Sequence, residues 1–137
     1  MLIAVLHGNQ VDFDGLLTFF LNFRNEHGLM MWQVRMNQSG ALYVEEDARD
    51  CATDGDIDIA TALFQAQRVW PNGSSNFPAG AYGYEAAALS DALLAHCVHP
   101  ELHVPLLGDW CCTDSKENRR LHDSTRSSDS VSYTHLT

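Results

Sequence analysis

Apolar residues recur at helical spacing in three stretches of the chain, separated by polar or proline-rich segments. In residues 10–26, Phe13, Leu16, Leu17, Phe20 and Phe23 fall on one side, and Phe19 and Leu21 widen the stripe. That pattern predicts a helix buried between neighbours, with His27 at its C-terminal end and Gly28 just past it. Residues 54–70 carry a second stripe, Ile59, Ala62, Leu63, Ala66 and Trp70, which stops before Pro71. A third runs over about 82–97 through Ala87, Leu89, Leu93, Leu94 and Cys97.

The intervening segments are less regular. Residues 1–7 read as the end of a helix whose beginning is absent; without a basic leading region they do not suit a signal peptide. Leu29–Val34 reads as extended and apolar, residues 35–50 as a polar loop, and Pro71–Pro78 as a loop by composition. Pro100 and Pro105 bracket a connection into Leu107-Gly-Asp-Trp110. Helices joined by irregular loops, with no alternating strand pattern, predict an all-α class.

The polar positions carry the candidate chemistry. Asp54, Asp56 and Asp58 alternate at the start of the second stripe, where acids meet unpaired N–H groups and the positive end of the helix dipole. Thr53 or Asp54 is the expected N-cap, but a cap accounts for only one acid. A calcium loop also begins Asp-x-Asp-x-Asp, yet its sixth position, glycine in such loops, is Ile59, and its twelfth, glutamate, is Gln65.

Ala52-Thr-Asp-Gly-Asp-x-x-Ile-Ala60, followed by Ala62-Leu63, Ala66 and Trp70, resembles the active-site pattern of glycoside hydrolase family 8. Leu29-Met-Met-Trp-Gln-Val34 and Leu107-Gly-Asp-Trp110 resemble segments of the same family in order and rough spacing, so the resemblance covers residues 1–110. It implies part of an (α/α)6 toroid, lacking the N-terminal and C-terminal parts of that domain, and an inverting endo-β-1,4-glycanase chemistry on a β-linked polysaccharide, cellulose foremost. It also implies a secreted or periplasmic full-length enzyme that needs no cofactor or metal.

Carried over residue by residue, the resemblance makes Asp54 the active-site aspartate that grips a distorted sugar ring. Asp56 is the next substrate-binding candidate, Trp32 and Trp110 are candidate sugar platforms, and Asp58 is a solvated or structural member of the turn. Trp70 is assigned to the core, and Tyr82 and Tyr84 are weaker groove candidates. The family's general acid belongs to a Glu-x-x-Gly-Tyr-Gly-Met block, which Met1-Leu-Ile-Ala4 would continue. Its base is expected beyond Trp110, so both proton-transfer groups fall outside these residues and the chain alone is expected to be inactive. A non-catalytic carbohydrate-binding module is the alternative reading.

Composition narrows the partners. Eighteen acidic residues against eight basic give a net charge of −10 across 137 residues, which argues against a nucleic-acid partner. No run approaches the apolar length of a membrane helix. Cys51, Cys97, Cys111 and Cys112 form no CxxC pair or metal-ligand spacing, and Cys51 and Cys97 read as buried small residues. From Cys111 onward serines and mixed charges replace the apolar period, so residues 111–137 are expected to be a disordered or non-native tail.

Overall fold

The computed structural model describes residues 1–112; beyond Cys112, the tail expected over 111–137 lies outside the described residues. Four helices carry the fold: α1 (Leu2–Leu6), α2 (Gln10–Asn22), α3 (Thr53–Val69) and α4 (Ala81–His96). A two-stranded antiparallel ribbon, β1 (Arg35–Met36) and β2 (Leu42–Tyr43), lies between α2 and α3.

The longest helices form an antiparallel hairpin, as contacts at its two ends show. Near the connecting loop, the Gly83 N–H donates to Gln67 Oε1 at 3.0 Å. At the far end, just before α3 and just after α4, the sulfurs of Cys51 and Cys97 meet at 3.4 Å. The packed faces use small residues: Ala60, Ala62, Ala66 and Ala86 are all buried, which lets the two backbones approach closely. Ile57, Leu63, Leu89 and Leu93 fill the remaining space, and α1 adds Ala4 and Val5. The buried stripe of α3 therefore runs through Ile57 and Ala60 rather than through Ile59, which is only partly buried.

From α2, Phe13, Leu17 and Phe20 enter the same core. Phe13 meets Trp70 and Tyr82 edge-on, at centroid distances of 5.4 and 5.5 Å. Trp70 thus packs against the core as expected. Tyr82 does not line a groove: it is fully buried, whereas Tyr84 is exposed.

One acid lies inside this layer. Asp14 of α2 is buried and accepts the Tyr82 hydroxyl and the Ser74 hydroxyl, each at 2.6 Å. Gln10 adds a bond to the Gly73 carbonyl at 2.9 Å. Burial, then the bond to Asp14, pushes the Tyr82 phenol above its ordinary pKa. The loop after α3 turns at Gly73 (φ +72), where a Cβ would run into the Phe77 carbonyl oxygen.

Several boundaries differ from the sequence expectation. α2 ends at Asn22, not near residue 26, because Asn25 takes over its continuation. The Asn25 side-chain oxygen accepts the N–H groups of His27 and Leu29, closing a turn that a helix would have run through. The polar stretch 35–50 contains the β1–β2 ribbon, closed by Asn37, whose side chain accepts the N–H groups of Ser39 and Ala41. No helix among the described residues is long and apolar enough to cross a membrane.

Candidate functional site

The site is built on the first turn of α3. Ala52 is the N-cap, so neither Thr53 nor Asp54 takes the expected capping position. Thr53 is drawn inward instead: its N–H donates to the Leu107 carbonyl at 3.2 Å, and its hydroxyl is buried without a hydrogen-bond partner. Asp54 is partly buried, and its Oδ1 accepts the N–H of Gly55 at 2.9 Å. Asp58 is exposed, in keeping with a solvated member of the turn.

Asp56 points the other way. Its residue surface is 0% exposed, Oδ1 accepts the Met30 N–H at 2.8 Å, and Oδ2 has no partner. Burial pushes its carboxyl up to about 7, and repulsion from Asp109 and Asp54 adds to this; the Met30 N–H and the Cys51 thiol pull the other way. A protonated acid keeps the Met30 bond on one oxygen and carries the proton on the other.

The bond from Asp56 helps to hold the segment leading to Trp32. Met31 N–H donates to the Phe23 carbonyl at 3.0 Å, and Trp32 N–H to the Asp50 carbonyl at 2.9 Å. Fixed by its backbone, the Trp32 side chain is 57% exposed and so is not a core aromatic. It lines a cleft of about 260 Å³ with Phe19, Met30, Met31, Ala52, Gly55 and Asp56, while Asp54 lies beside the cleft without lining it. A larger trough of about 680 Å³ lies between α1, α2 and the second turn of α3, where Met1, Ile3, Leu16 and Asp58 line it.

The Leu107-Gly-Asp-Trp110 block is tied to the residue preceding the α3 motif by an acid that sequence reasoning did not single out. Asp109 is buried; Oδ1 accepts the Cys51 N–H at 2.9 Å, and Oδ2 accepts Asn25 Nδ2 at 2.7 Å. The same oxygen lies 3.0 Å from His27 Nδ1. Burial alone would raise the Asp109 carboxyl, but these bonds outweigh it and hold the group below the usual carboxylate value. Its neighbour Asp50 is pushed up, by burial first and then by repulsion from Asp109.

His27, expected at the C-terminal end of a helix, is therefore part of this knot, and its ring also stacks on His96 at 4.0 Å. Gly108 fits because a Cβ would strike the Cys51 carbonyl and the Trp110 indole. Trp110 is partly buried beside it. Only the order Asn25…Asp109 in the sequence could have suggested the knot, and nothing local marks a pairing across 84 positions.

Chemically, the first turn of α3 presents one partly exposed acid, Asp54, while the buried Asp56 forms part of the cleft wall and bonds Met30 within it. Trp32 offers an accessible indole face at the cleft. No group of histidines, cysteines or acids among the described residues is placed to hold a metal ion.

Residues 1–96 match the family model for glycosyl hydrolases family 8. The chain is 38% identical to Endoglucanase A of Acetivibrio thermocellus over 80% of its own length and 22% of that protein. With Beta-glucanase of Niallia circulans it shares 32% identity over 94% of its length and 29% of the other. A crystal structure of a GH8 endo-beta-1,4-glucanase from an Achatina fulica gut metagenomic library superposes with a TM-score of 0.61 at 31% identity, covering 79% of this chain and 32% of that one. A cold-adapted family 8 xylanase shares the fold, with a TM-score of 0.67 at 20% identity over 97% of this chain and 35% of the other. The chain thus spans between a fifth and about a third of the length of these relatives, and its helices are a portion of the (α/α)6 architecture. On both the sequence match and the shared fold, the chain belongs to glycosyl hydrolases family 8.

Proposed function

We propose that this chain forms one wall of the substrate groove of an inverting endo-β-1,4-glycanase acting on β-1,4-glucan. Asp54 binds the hydroxyls of the sugar ring being distorted, and Trp32 stacks on a neighbouring ring. The observation that carries the reading is the division of labour at the start of α3. Asp56 is buried, bonded to Met30, and lines the cleft from within alongside the exposed indole of Trp32, which leaves Asp54, in the same turn, as the more accessible acid of the pair. Trp110, partly buried, is the second candidate platform.

Inversion requires an acid to protonate the leaving oxygen and a base to activate water, about 6.5–9.5 Å apart. The chain spans 22% of Endoglucanase A, and we place both groups in parts of the catalytic domain outside these residues. On that reading the isolated chain binds without turnover, since loss of even one such group costs about 10²–10⁴-fold in rate. Asp54 contributes by holding the ring near its transition-state shape, so its effect falls on kcat more than on KM.

A graft tests this directly. Residues 1–110 are placed in Endoglucanase A in exchange for the segment they match, and hydrolysis of carboxymethyl-cellulose is followed with the anomeric form of the first product. The graft is expected to hydrolyse with inversion, D54N to lower kcat by about 10²-fold or more, and W32A chiefly to raise KM. A graft whose activity is indifferent to D54N would overturn the assignment.

A further inference from the structure

We propose that Cys51 and Cys97 form a disulfide that closes the open end of the α3–α4 hairpin when the chain meets a disulfide oxidant. Their sulfurs are already in contact at 3.4 Å, against about 2.0 Å in a disulfide. The position gives the link a purpose. α3 begins at Thr53 and α4 ends at His96, so the two cysteines flank the hairpin at the end opposite its loop. The linkage would enclose both helices, and crosslinks around long loops restrict the unfolded chain most. It would also fasten Cys51, whose N–H is held by Asp109 and which is followed directly by the Ala52-Thr-Asp54 turn.

The reaction is thiol–disulfide exchange with a low-molecular-weight disulfide such as oxidised glutathione. One cysteine thiolate attacks the glutathione disulfide, forms a mixed disulfide and expels a glutathione thiolate. The second cysteine, as thiolate, attacks the protein sulfur of that mixed disulfide and expels the other glutathione. Two protein thiols are oxidised, one glutathione disulfide is reduced to two thiols, and the two cysteine protons pass through solvent to the leaving groups. In the folded chain both thiols are buried, and the contact with Cys97 followed by burial pushes the Cys51 thiol up, so neither is a ready nucleophile. The bond therefore forms as the hairpin assembles or while its end is open.

The test is to refold the reduced chain in a glutathione redox buffer, block free thiols, and map the peptides without reduction. The expected result is a mass lower by two hydrogens and a linked pair containing Cys51 and Cys97. The oxidised chain should then unfold at higher denaturant than the reduced chain, a difference that vanishes in C51A/C97A. A link through Cys111 or Cys112, glutathione adducts alone, or four free thiols would overturn the proposal. A 51–97 link that leaves the unfolding midpoint unchanged would overturn the clamp. Should C51A/C97A fail to fold, C111A/C112A, which retains only the proposed pair, gives the same decision: it either forms the link and gains stability or it does not.

Discussion

Asp56 Oδ1 accepts the Met30 N–H at 2.8 Å, joining the buried start of α3 to the segment that presents Trp32. Because the acid is buried and its carboxyl is pushed up to about 7, the folded chain holds its proton more tightly than the unfolded chain between the ordinary 3.8 and about 7. Asp56 therefore lowers stability as pH rises through that window, by at most about 4 kcal/mol. Denaturant titrations between pH 4 and 8 should show this decline, and D56N, which keeps an acceptor for Met30 without ionising, should flatten it. A wild-type profile that rises across the window would contradict the assignment.

Asp109 works in the opposite direction. Its carboxyl lies below the usual 3.8, so its stabilisation is complete above that value and is lost as pH falls through the folded value. Asp109→Ala leaves the buried Cys51 N–H without an acceptor, at a cost of about 1–3 kcal/mol, while the Asn25 amide keeps its bond to the Arg49 carbonyl and the partly exposed His27 can turn towards water. The variant should lose stability at pH 7, with a shallower loss on further acidification, as read by chemical denaturation.

Trp32 and Trp70 should separate cleanly. Trp32→Ala removes an exposed side chain and keeps the backbone bond to Asp50, so unfolding free energy should change by no more than about 0.5 kcal/mol. Trp70→Ala removes an edge-on contact with Phe13 and should cost about 2–4 kcal/mol. Equal losses in the two variants would mean that Trp32 packs more than its exposure indicates.

Two glycines are fixed by space. At Gly73 the backbone is left-handed and a Cβ meets the Phe77 carbonyl, and at Gly108 it meets the Cys51 carbonyl and the Trp110 indole. Alanine at either position should destabilise by about 1–3 kcal/mol, measurable as a lower urea midpoint. Gly55→Ala is the internal control: a Cβ there meets nothing within 4 Å.

The helices were legible because their apolar stripes are local: Phe13, Leu17 and Phe20 fall on the buried face their spacing predicts, although Leu16 and Phe19 of the same stripe are exposed. The motif around Asp54 was legible because it is contiguous. What escaped depended on partners far along the chain. The end of α2 is set by Asn25, whose side chain also reaches Asp109, and the fate of Asp56 is set by Met30. Three acids spaced two apart look alike in a sequence, and only tertiary packing sends one inward and leaves its neighbours at the surface. The ribbon at 35–43 was hidden for a different reason: its two residues per strand are all exposed, so no hydrophobic alternation marks it.

The bond network of Asp14 has a consequence for how α2 is seated. A face made of Phe and Leu alone could roll by one ridge against the hairpin and still be buried, because such side chains substitute for one another in volume. A carboxylate that must find the hydroxyls of both Tyr82 and Ser74 fits in only one rotational setting. The acid thus selects among otherwise similar packings, and the azimuth of α2, with the wall of the trough lined by Asp12 and Leu16, follows from two hydrogen bonds rather than from the bulk of the core.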